Sequence, residues 1–417
     1  MFRYQLLLYL GLLVSPIVGL MRILRRKDTL RSFWYRFFPE RTQAAGVIWL
    51  HAVSLGELQV LELCLPILRK KNPDAPLLVT VSNANAYSLA KSKLKGLAMV
   101  TLAPLDFHFS LRRFFKGWNP IALITIENEV FPNRLSYCSR LGIPAYFVNA
   151  RLSMKSYQSW AKRPGFAHSV FSSIAHVWAQ DERSGAYFRN LGTAAKSVEI
   201  IPNLKRLVEV QLTHEHIELP FNRSKTLLAA STHPGEDEIL LDAFAQLKKS
   251  DPEYRMIIAP RHPERAADIR KLVLSRGYFL AQRSQNEAPD PETDIYLADT
   301  FREMHLWYAN AAFTFVAGSL FPIGGHTPYE PIRHQSVVLH GPHFSNFETE
   351  YNSLRKMKGA IECASAEQIS TSILSLSQRK QREMFKRAAS ALINPTEDQK
   401  VLDDLISKLL VDLHARR

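Results

Sequence analysis

The segment from His51 to Glu57 places a serine, a glycine and a carboxylate where a buried strand is predicted to end. The apolar run 47–53 is typical of a strand in a parallel sheet, and an amphipathic helical pattern follows it. Gly56 leaves room for another molecule to approach the backbone, and Glu57 falls in the first turn of the helix. Ser54 and Glu57 also have the S-x-x-E spacing of a capping box, in which side chains satisfy free backbone N–H groups. The segment therefore supports a structural interpretation and a catalytic one.

Two further carboxylates, Glu127 and Glu129, emerge at the end of another predicted strand, 121–127. Paired carboxylates that face a phosphate site across a cleft indicate general-base chemistry on a hydroxyl group. A structural ion pair with Arg134 or Arg151 is the competing interpretation, and it applies more to Glu129 than to Glu127.

Three predicted strands in the second half of the chain are followed by small, hydroxyl or basic residues just before a helix. Strand by strand, these residues are Ser231, Thr232, His233 and Gly235; Arg261 and His262; and Gly325, His326 and Glu330. Free N–H groups at a helix N-terminus, together with a nearby cation, bind phosphate. Three such junctions at one edge of a parallel sheet predict a nucleotide-phosphate site. Thr327, Pro328 and Glu330 also fit a helix cap with Thr327 as N-cap, but capping does not explain the double glycine before them.

The elements that must position these residues alternate regularly between strands and helices. Strands are predicted at 47–53, 77–82, 98–103, 121–127, 144–149 and 174–179, and again at 226–231, 254–259, 294–298, 311–317 and 336–340. This alternation predicts an α/β fold with two doubly wound parallel domains in tandem. We expect a first domain at 41–207, a polar linker at 208–225, and a second domain at 226–417 that includes a C-terminal helix at about 396–416. A P-loop lysine and a G-x-G-x-x-G motif are missing, which argues against an ATPase or a Rossmann dehydrogenase.

Residues 1–40 are predicted to attach the protein to a membrane. Tyr4 to Met21 carries no charge, and Arg22, Arg25, Arg26 and Lys27 follow it. The basic flank predicts that the body of the protein lies on the cytoplasmic face of the membrane, and the aromatic and basic segment 31–41 is typical of an interface. The alternative is a buried helix of a soluble protein, since 18 residues lie at the lower end of what spans a bilayer.

Composition limits the classes of partner. The 417 residues are 46% hydrophobic and 22% charged, as in globular proteins, and the net charge of +14 favours anionic lipids, phosphorylated substrates or nucleic acid. No basic run interleaved with stacking aromatics occurs outside the N-terminal segment, so nucleic acid is not the expected partner. Cys64, Cys138 and Cys363 lack the spacing of a disulfide framework or a zinc site.

A series of motifs in this order resembles the 3-deoxy-D-manno-octulosonic acid (Kdo) transferases of lipopolysaccharide biosynthesis. The motifs are HAVSLGE, IENEVFPN, NARLS, AQDE, PNLK, STHPGEDE, PRHPER, GGHTPYEP and GPHFSNF, spread between about residues 30 and 350. The resemblance implies a GT-B fold, in which two Rossmann-like domains face a central cleft. It also implies inverting transfer of Kdo from CMP-Kdo to a hydroxyl group of a lipid A precursor, with no cofactor and no metal.

The resemblance further implies roles for individual residues. Glu57 would be the general base, and Glu127 or Glu129 would support catalysis or acceptor binding. The substrate-binding positions would be Ser54, Gly56, Ser231, Thr232, His233, Gly235, Arg261, His262, Gly325, His326 and Glu330, with Lys205 and Asn346 as secondary contributors.

The chain departs from the family pattern at several positions. The family usually has Glu-Thr-Glu-Leu-Trp-Pro-Asn at 127–133, and an asparagine where Thr327 stands. It usually has glycine in place of Pro202, and a Phe-Asp pair in place of Arg206 and Leu207. These last changes leave open an alternative, which is a divergent member with a changed acceptor or one that binds a nucleotide sugar or anionic lipid without transfer.

Overall fold

The computed structural model describes residues 4–5, 8–10, 30–39, 46–127, 129–207, 217–376 and 378–416. The chain divides into two compact units. One unit comprises Met1–Val208 together with Pro395–Arg417, and the other comprises Glu209–Asn394.

The first unit is built on a parallel sheet whose seven described strands have the order β3-β2-β1-β4-β5-β6-β7. The strands are β1 (Val47–His51), β2 (Leu77–Val81), β3 (Met99–Leu102), β4 (Pro120–Ile126), β5 (Ala145–Ala150), β6 (His176–Ala179) and β7 (Val198–Ile200). The helices are α1 (Leu30–Phe37), α2 (Leu55–Lys71), α3 (Ala84–Lys93), α4 (His108–Trp118), α5 (Pro132–Arg140), α6 (Met154–Ala161), α7 (Pro164–Phe171) and α8 (Glu182–Leu191), and a 3-10 turn spans Leu204–Leu207.

Both faces of this sheet are covered, which explains why its strands are continuously apolar. Along β1, Ile48 and Leu50 enter one hydrophobic cluster, whereas Val47 and Trp49 enter the cluster on the opposite face. The strand order reverses between β1 and β4, which are direct neighbours. Residues that follow these two strands therefore meet at a topological switch point, the usual ligand-binding position in such sheets.

The second unit repeats the architecture with the strand order β10-β11-β9-β8-β12-β13-β14, again parallel among the described strands. Its strands are β8 (Thr226–Thr232), β9 (Arg255–Pro260), β10 (Leu280–Gln282), β11 (Ile295–Leu297), β12 (Phe313–Val316), β13 (Val337–His340) and β14 (Ala360–Glu362). Its helices are α9 (Glu236–Ser250), α10 (Ala266–Ser275), α11 (Met304–Ala309), α12 (Tyr329–Arg333), α13 (Glu348–Met357), α14 (Ala366–Ser375) and α15 (Arg379–Ser390). Here β8 and β12 are neighbours at the switch point.

The predicted α/β class is confirmed, and each predicted strand overlaps an observed one. The sequence analysis missed β7, β10 and β14, which each have three residues. Each of these strands contains a polar residue (VEI, LAQ and AIE), whereas β11, of the same length, has the uninterrupted apolar run IYL and was predicted.

The C-terminal helix α16 (Pro395–Ala415) was assigned to the wrong domain, because it packs on the first unit. Its buried face includes Leu402 and Leu409, which join the cluster formed by β1 and α2. The Tyr146 hydroxyl donates to Asp412 over 2.7 Å, and Arg206 pairs with Asp398 at 3.2 Å. Arg206, one of the departures from the family pattern, thus fastens this helix.

The described part of the predicted linker is not a separate segment but belongs to the second unit. Residues 208–216 lie outside the described residues. From residue 217 onward the segment packs on the second unit, since Leu219 is buried there and the Arg223 guanidinium donates to the Ala309 carbonyl oxygen over 2.8 Å.

Most of the predicted membrane anchor, Tyr4 to Met21, lies outside the described residues. Among the residues described, no helix has the length and apolar character needed to cross a bilayer. The following helix α1 lies against the loop before α4, because the Leu105 N–H donates to the Arg36 carbonyl oxygen over 2.9 Å. Trp34 on this helix and Phe38 just after it are about half exposed, at 55% and 49%.

Candidate active site

The junction between β1 and α2 contains the predicted capping interaction in a modified form. Ser54 is the N-cap, and its hydroxyl oxygen accepts the Glu57 N–H over 3.3 Å. The Glu57 carboxylate accepts the Val53 N–H over 2.6 Å and the Ser54 hydroxyl proton over 3.1 Å. Both oxygens of Glu57 are therefore held at the carboxyl end of β1, while Ser54 itself is exposed.

Glu57 is a carboxyl group in a poorly solvated position, with 6% of its surface exposed. Burial raises its pKa from 4.5 to about 7, and the negative charges of Glu127 and Glu129 add to the effect, against the hydrogen bonds from Val53 and Ser54. A carboxylate with a pKa near the working pH is well matched to accept a proton from a hydroxyl group.

Glu127 lies beside this junction, at the end of the neighbouring strand β4. Its backbone has φ of 61°, a left-handed conformation that is costly for a residue other than glycine. Its carboxylate forms an ion pair with the Lys205 ammonium group. A Cβ atom placed on Gly56 would lie 3.6 Å from the Lys205 ammonium nitrogen, so Lys205 covers the start of α2. Lys205 thereby connects the two strand ends.

Lys205 is positioned by two buried asparagines that sequence reasoning did not single out. The Asn149 side chain accepts the Leu204 N–H over 2.9 Å and donates to the Asn203 side chain over 3.2 Å. Asn203 in turn accepts the Lys205 N–H over 3.1 Å. Asn149 itself has φ of 54°, a conformation that asparagine tolerates better than most residues. The available sequence signals were Asn149 at the end of a predicted strand and Asn203 in the motif PNLK.

Glu129 lies in the same loop and is partly buried. Burial raises its pKa, against the attraction of Arg134 and Arg36. Arg151 contacts the loop through its backbone, since its N–H donates to the Glu127 carbonyl oxygen over 3.4 Å. Of the two predicted partners, Arg134 is the one whose positive charge acts on the Glu129 carboxylate.

In the second unit, the turn after β8 is held by a carboxylate that the sequence analysis overlooked. Glu236 has no exposed surface, and its side chain accepts backbone N–H groups from His233, Gly318, Ser319 and Leu320 at 2.7–3.0 Å. It fastens the turn after β8 to the turn after β12, the two sides of the switch point. Thr232 is fully buried in this turn, and its carbonyl oxygen accepts the Arg261 N–H over 3.1 Å.

Three histidines and an arginine gather at this switch point. The Nε2 atoms of His233 and His326 lie 3.0 Å apart, and the rings of His233 and His262 are 6.0 Å apart. Burial, with Arg261 next in importance, lowers the pKa of His326 to about 4. Arg261 and His262 remain exposed. The group offers one fixed cation and exposed imidazole to an anionic ligand.

The double glycine before α12 is explained by close packing. Gly324 and Gly325 have φ of 108° and 72°, and a Cβ on Gly324 would lie 2.5 Å from the Asn346 side-chain nitrogen. Asn346 donates to the Gly325 carbonyl oxygen over 3.3 Å. The Thr327 hydroxyl oxygen accepts the Tyr329 N–H over 3.3 Å, so Thr327 still serves the helix start.

The predicted N-cap position, Thr327, was wrong. Pro328 occupies the N-cap position of α12. The carboxyl group of Glu330 shares a hydrogen bond with Tyr308, and burial raises its pKa.

The predicted residues therefore form two groups, each within its own unit. The first unit brings together Ser54, Gly56, Glu57, Glu127 and Lys205, with Glu129 in the same loop as Glu127. The second unit brings together the turn from Ser231 to Gly235 with Arg261, His262, Gly325, His326 and Asn346. No set of three or more His, Cys, Asp or Glu side chains in the described parts of the chain is arranged to hold a metal ion.

Comparison with known proteins relates the chain to one family. The family model described as 3-deoxy-D-manno-octulosonic-acid transferase (kdotransferase) matches residues 31–208. The 3-deoxy-D-manno-octulosonic acid transferase of Rickettsia bellii is 29% identical over 418 residues, covering 97% of each chain. That of Haemophilus influenzae is 29% identical over 376 residues, covering 88% of this chain and 83% of that protein.

Among solved structures, UDP-GlcNAc 2-epimerase from Neisseria meningitidis, bound to UDP-GlcNAc, has a similar fold. The alignment has a TM-score of 0.60 and covers 87% of this chain and 100% of that one, with 13% identity. Together with the two parallel sheets, this likeness identifies the fold as GT-B.

Proposed function

We propose that this chain, which its motifs and the comparisons above relate to the 3-deoxy-D-manno-octulosonic acid (Kdo) transferases, moves Kdo from CMP-Kdo to a hydroxyl group of a lipid A precursor. The observation that carries the mechanism is the buried Glu57 carboxyl, whose pKa of about 7 suits a general base. The transfer inverts the anomeric centre and uses no metal ion.

In this proposal Glu57 removes the proton from the acceptor hydroxyl group as its oxygen attacks the anomeric carbon of Kdo. The bond from that carbon to the phosphate oxygen breaks, and CMP leaves with the electron pair. The Val53 N–H and the Ser54 hydroxyl hold the carboxylate in place. Lys205, paired with Glu127, limits the negative charge that accumulates around the base.

The second unit binds the nucleotide. Arg261 and His262 are exposed at its switch point and are available to the phosphate of CMP. The turn from Ser231 to Gly235 leads into α9, a helix of 15 residues whose N-terminal N–H groups favour an anion. Charge of this kind, directed at a leaving phosphate, stabilises the transition state.

The acceptor and the location are part of the same proposal. A net charge of +14 favours a phosphorylated lipid over a neutral acceptor. The uncharged N-terminal segment with its basic flank would attach the enzyme to the cytoplasmic face of the inner membrane, where such a lipid is accessible.

The direct test uses purified full-length protein with CMP-Kdo and a tetra-acylated lipid A precursor, with products resolved by mass. We expect the lipid to gain the mass of one or more Kdo residues, at the same rate with EDTA present. Calorimetric titration with CMP and with UDP tests the alternative, a divergent member that binds a nucleotide sugar without transferring Kdo. An unchanged lipid, together with a preference for UDP, would contradict the proposal.

A further inference from the structure

Arg134 is a buried cation next to the carboxylate-bearing loop of the first unit, and the mechanism above does not use it. It is 2% exposed, and its guanidinium lies 4.3 Å from the Phe131 ring centre and 4.9 Å from that of Trp49. Its Nη2 donates to the Pro104 carbonyl oxygen over 3.3 Å. Among the described residues, none accepts a hydrogen bond from its Nε or Nη1.

Fold stability does not account for this arginine. A buried charge that lacks some of its hydrogen bonds can lose more solvation than it regains, and a buried ion pair is weak evidence of a role in stability. The α5 backbone at Arg134 already has its own partner, because the Asp106 carboxylate accepts the N–H groups of Asn133 and Arg134 over 2.9 and 2.8 Å. The role of the buried Arg134 guanidinium is therefore sought in the residues that surround it.

One of those neighbours, Phe131, lies at the end of the loop that carries Glu127 and Glu129, and another, Trp49, lies on β1. Phe131 at the end of this loop contacts the Arg134 guanidinium, and Trp49 of β1 contacts the same guanidinium. Arg134 thus joins the loop to β1, the strand that precedes the Glu57 junction. A loop whose first residue is held in the left-handed region needs such support, since it does not stay there by local preference.

We propose that Arg134 is a positioning residue of the proton-transfer site: it fixes the loop that carries Glu127 and Glu129 against β1 and places a positive charge near Glu129 for acceptor binding. This inference rests on the proposed function. It assigns Glu129 to acceptor binding in its charged form.

The charges around the two carboxylates set the expected pH behaviour. Glu129 faces the positive charges of Arg134 on α5 and Arg36 on α1, and it repels Glu57 on α2. Arg134 itself faces Asp106, Glu129 and Cys138 as well as Arg36. Removal of the Arg134 charge removes an attraction that lowers the pKa of Glu129, so that Glu129 takes up its proton at a higher pH.

The variant Arg134→Met tests this, with Arg134→Lys as the conservative replacement. Arg140→Met is the matched control, because Arg140 is exposed on the same helix and lies 4.4 Å from the Tyr137 ring. We expect Arg134→Met to fold but to lose at least about tenfold in kcat/KM for the lipid acceptor. The KM for CMP-Kdo should not change, and the acid limb of the pH profile should move to higher pH. Arg134→Lys should restore the pH profile, and Arg140→Met should resemble the wild type.

Wild-type kinetics and an unchanged pH profile in Arg134→Met would overturn the inference, as would a fall in melting temperature that Arg134→Lys does not reverse. If the wild type transfers no Kdo, the proposed function fails, and hydrogen exchange of the 127–131 loop decides the positioning role. Faster exchange in Arg134→Met than in Arg140→Met is then expected, and equal exchange would refute it.

Discussion

At the scale of single residues, Glu57 has two roles that are compatible. Its carboxylate closes the start of α2 by accepting the Val53 N–H, and the same carboxylate has its pKa raised to about 7 by burial. The S-x-x-E spacing predicted the first property. It could not predict the second, because burial and the proximity of Glu127 and Glu129 depend on β1 and β4 being neighbours.

The pH dependence of transfer follows from this residue. Glu57 accepts a proton only when it is ionised, and its pKa of about 7 means that the ionised fraction grows as pH rises through neutrality. We expect kcat/KM to fall about tenfold per pH unit below that value and to level off above it. Initial rates with CMP-Kdo between pH 5 and pH 9 measure this, and a rate that is flat from pH 5 upward would contradict it.

At the scale of elements, the strand ends position the chemistry, and this part was largely predictable. Apolar runs located β1, β4, β8 and β12, and parallel strands bring their carboxyl ends to one edge. The contacts that fix each turn were not predictable, since they join residues distant in sequence. Glu236 and Gly318, for example, are 82 positions apart.

Glu236 is expected to be essential for the fold of the second unit. Glu236→Ala leaves four backbone N–H groups without their acceptor in a buried site, which should destabilise the protein by at least about 3 kcal/mol. Glu238→Ala is the control, because Glu238 lies in the same first turn but is exposed. Urea denaturation of both variants measures the difference, and equal stabilities would show that water replaces the carboxylate.

Gly324 is expected to matter for nucleotide binding. Gly324→Ala places a Cβ atom 2.5 Å from the Asn346 side chain, which must then move. Gly277→Ala is the control, because Gly277 also has a positive φ, of 79°, but has open space around its Cβ position. We expect both variants to lose about 1 kcal/mol of stability from backbone strain, and only Gly324→Ala to bind CMP several-fold more weakly by calorimetry. Equal affinities of the two variants for CMP would show that Asn346 does not contribute to the nucleotide site.

At the scale of the whole molecule, the sequence predicted two α/β units but misassigned their closing helix. Chain order alone suggested that α16 completes the second unit. The amphipathic pattern of α16 shows that one face is buried but not which sheet it covers. The partners are tertiary: Asp412 meets Tyr146, and Asp398 meets Arg206, on the first unit.

The placement of α16 leads to a prediction about stability. Leu409 is fully buried in the core of the first unit, so Leu409→Ala should cost about 2–5 kcal/mol. Hydrogen exchange should then accelerate in α2 of the first unit and stay unchanged in α9 of the second. The exposed neighbour Val411 offers a control in Val411→Ala, which should change neither helix. Faster hydrogen exchange in α9 alone would show that α16 packs on the second unit instead.

The central claim is that Glu57 is the base of a Kdo transferase, and the variant Glu57→Gln tests it most directly. Glutamine can still accept the Val53 N–H through its amide oxygen, but it cannot take a proton from the acceptor. With CMP-Kdo and the lipid A precursor, we expect kcat to fall by about 10²-fold or more while urea denaturation shows a change within about 1 kcal/mol. A stable variant that transfers Kdo at the wild-type rate would contradict the claim.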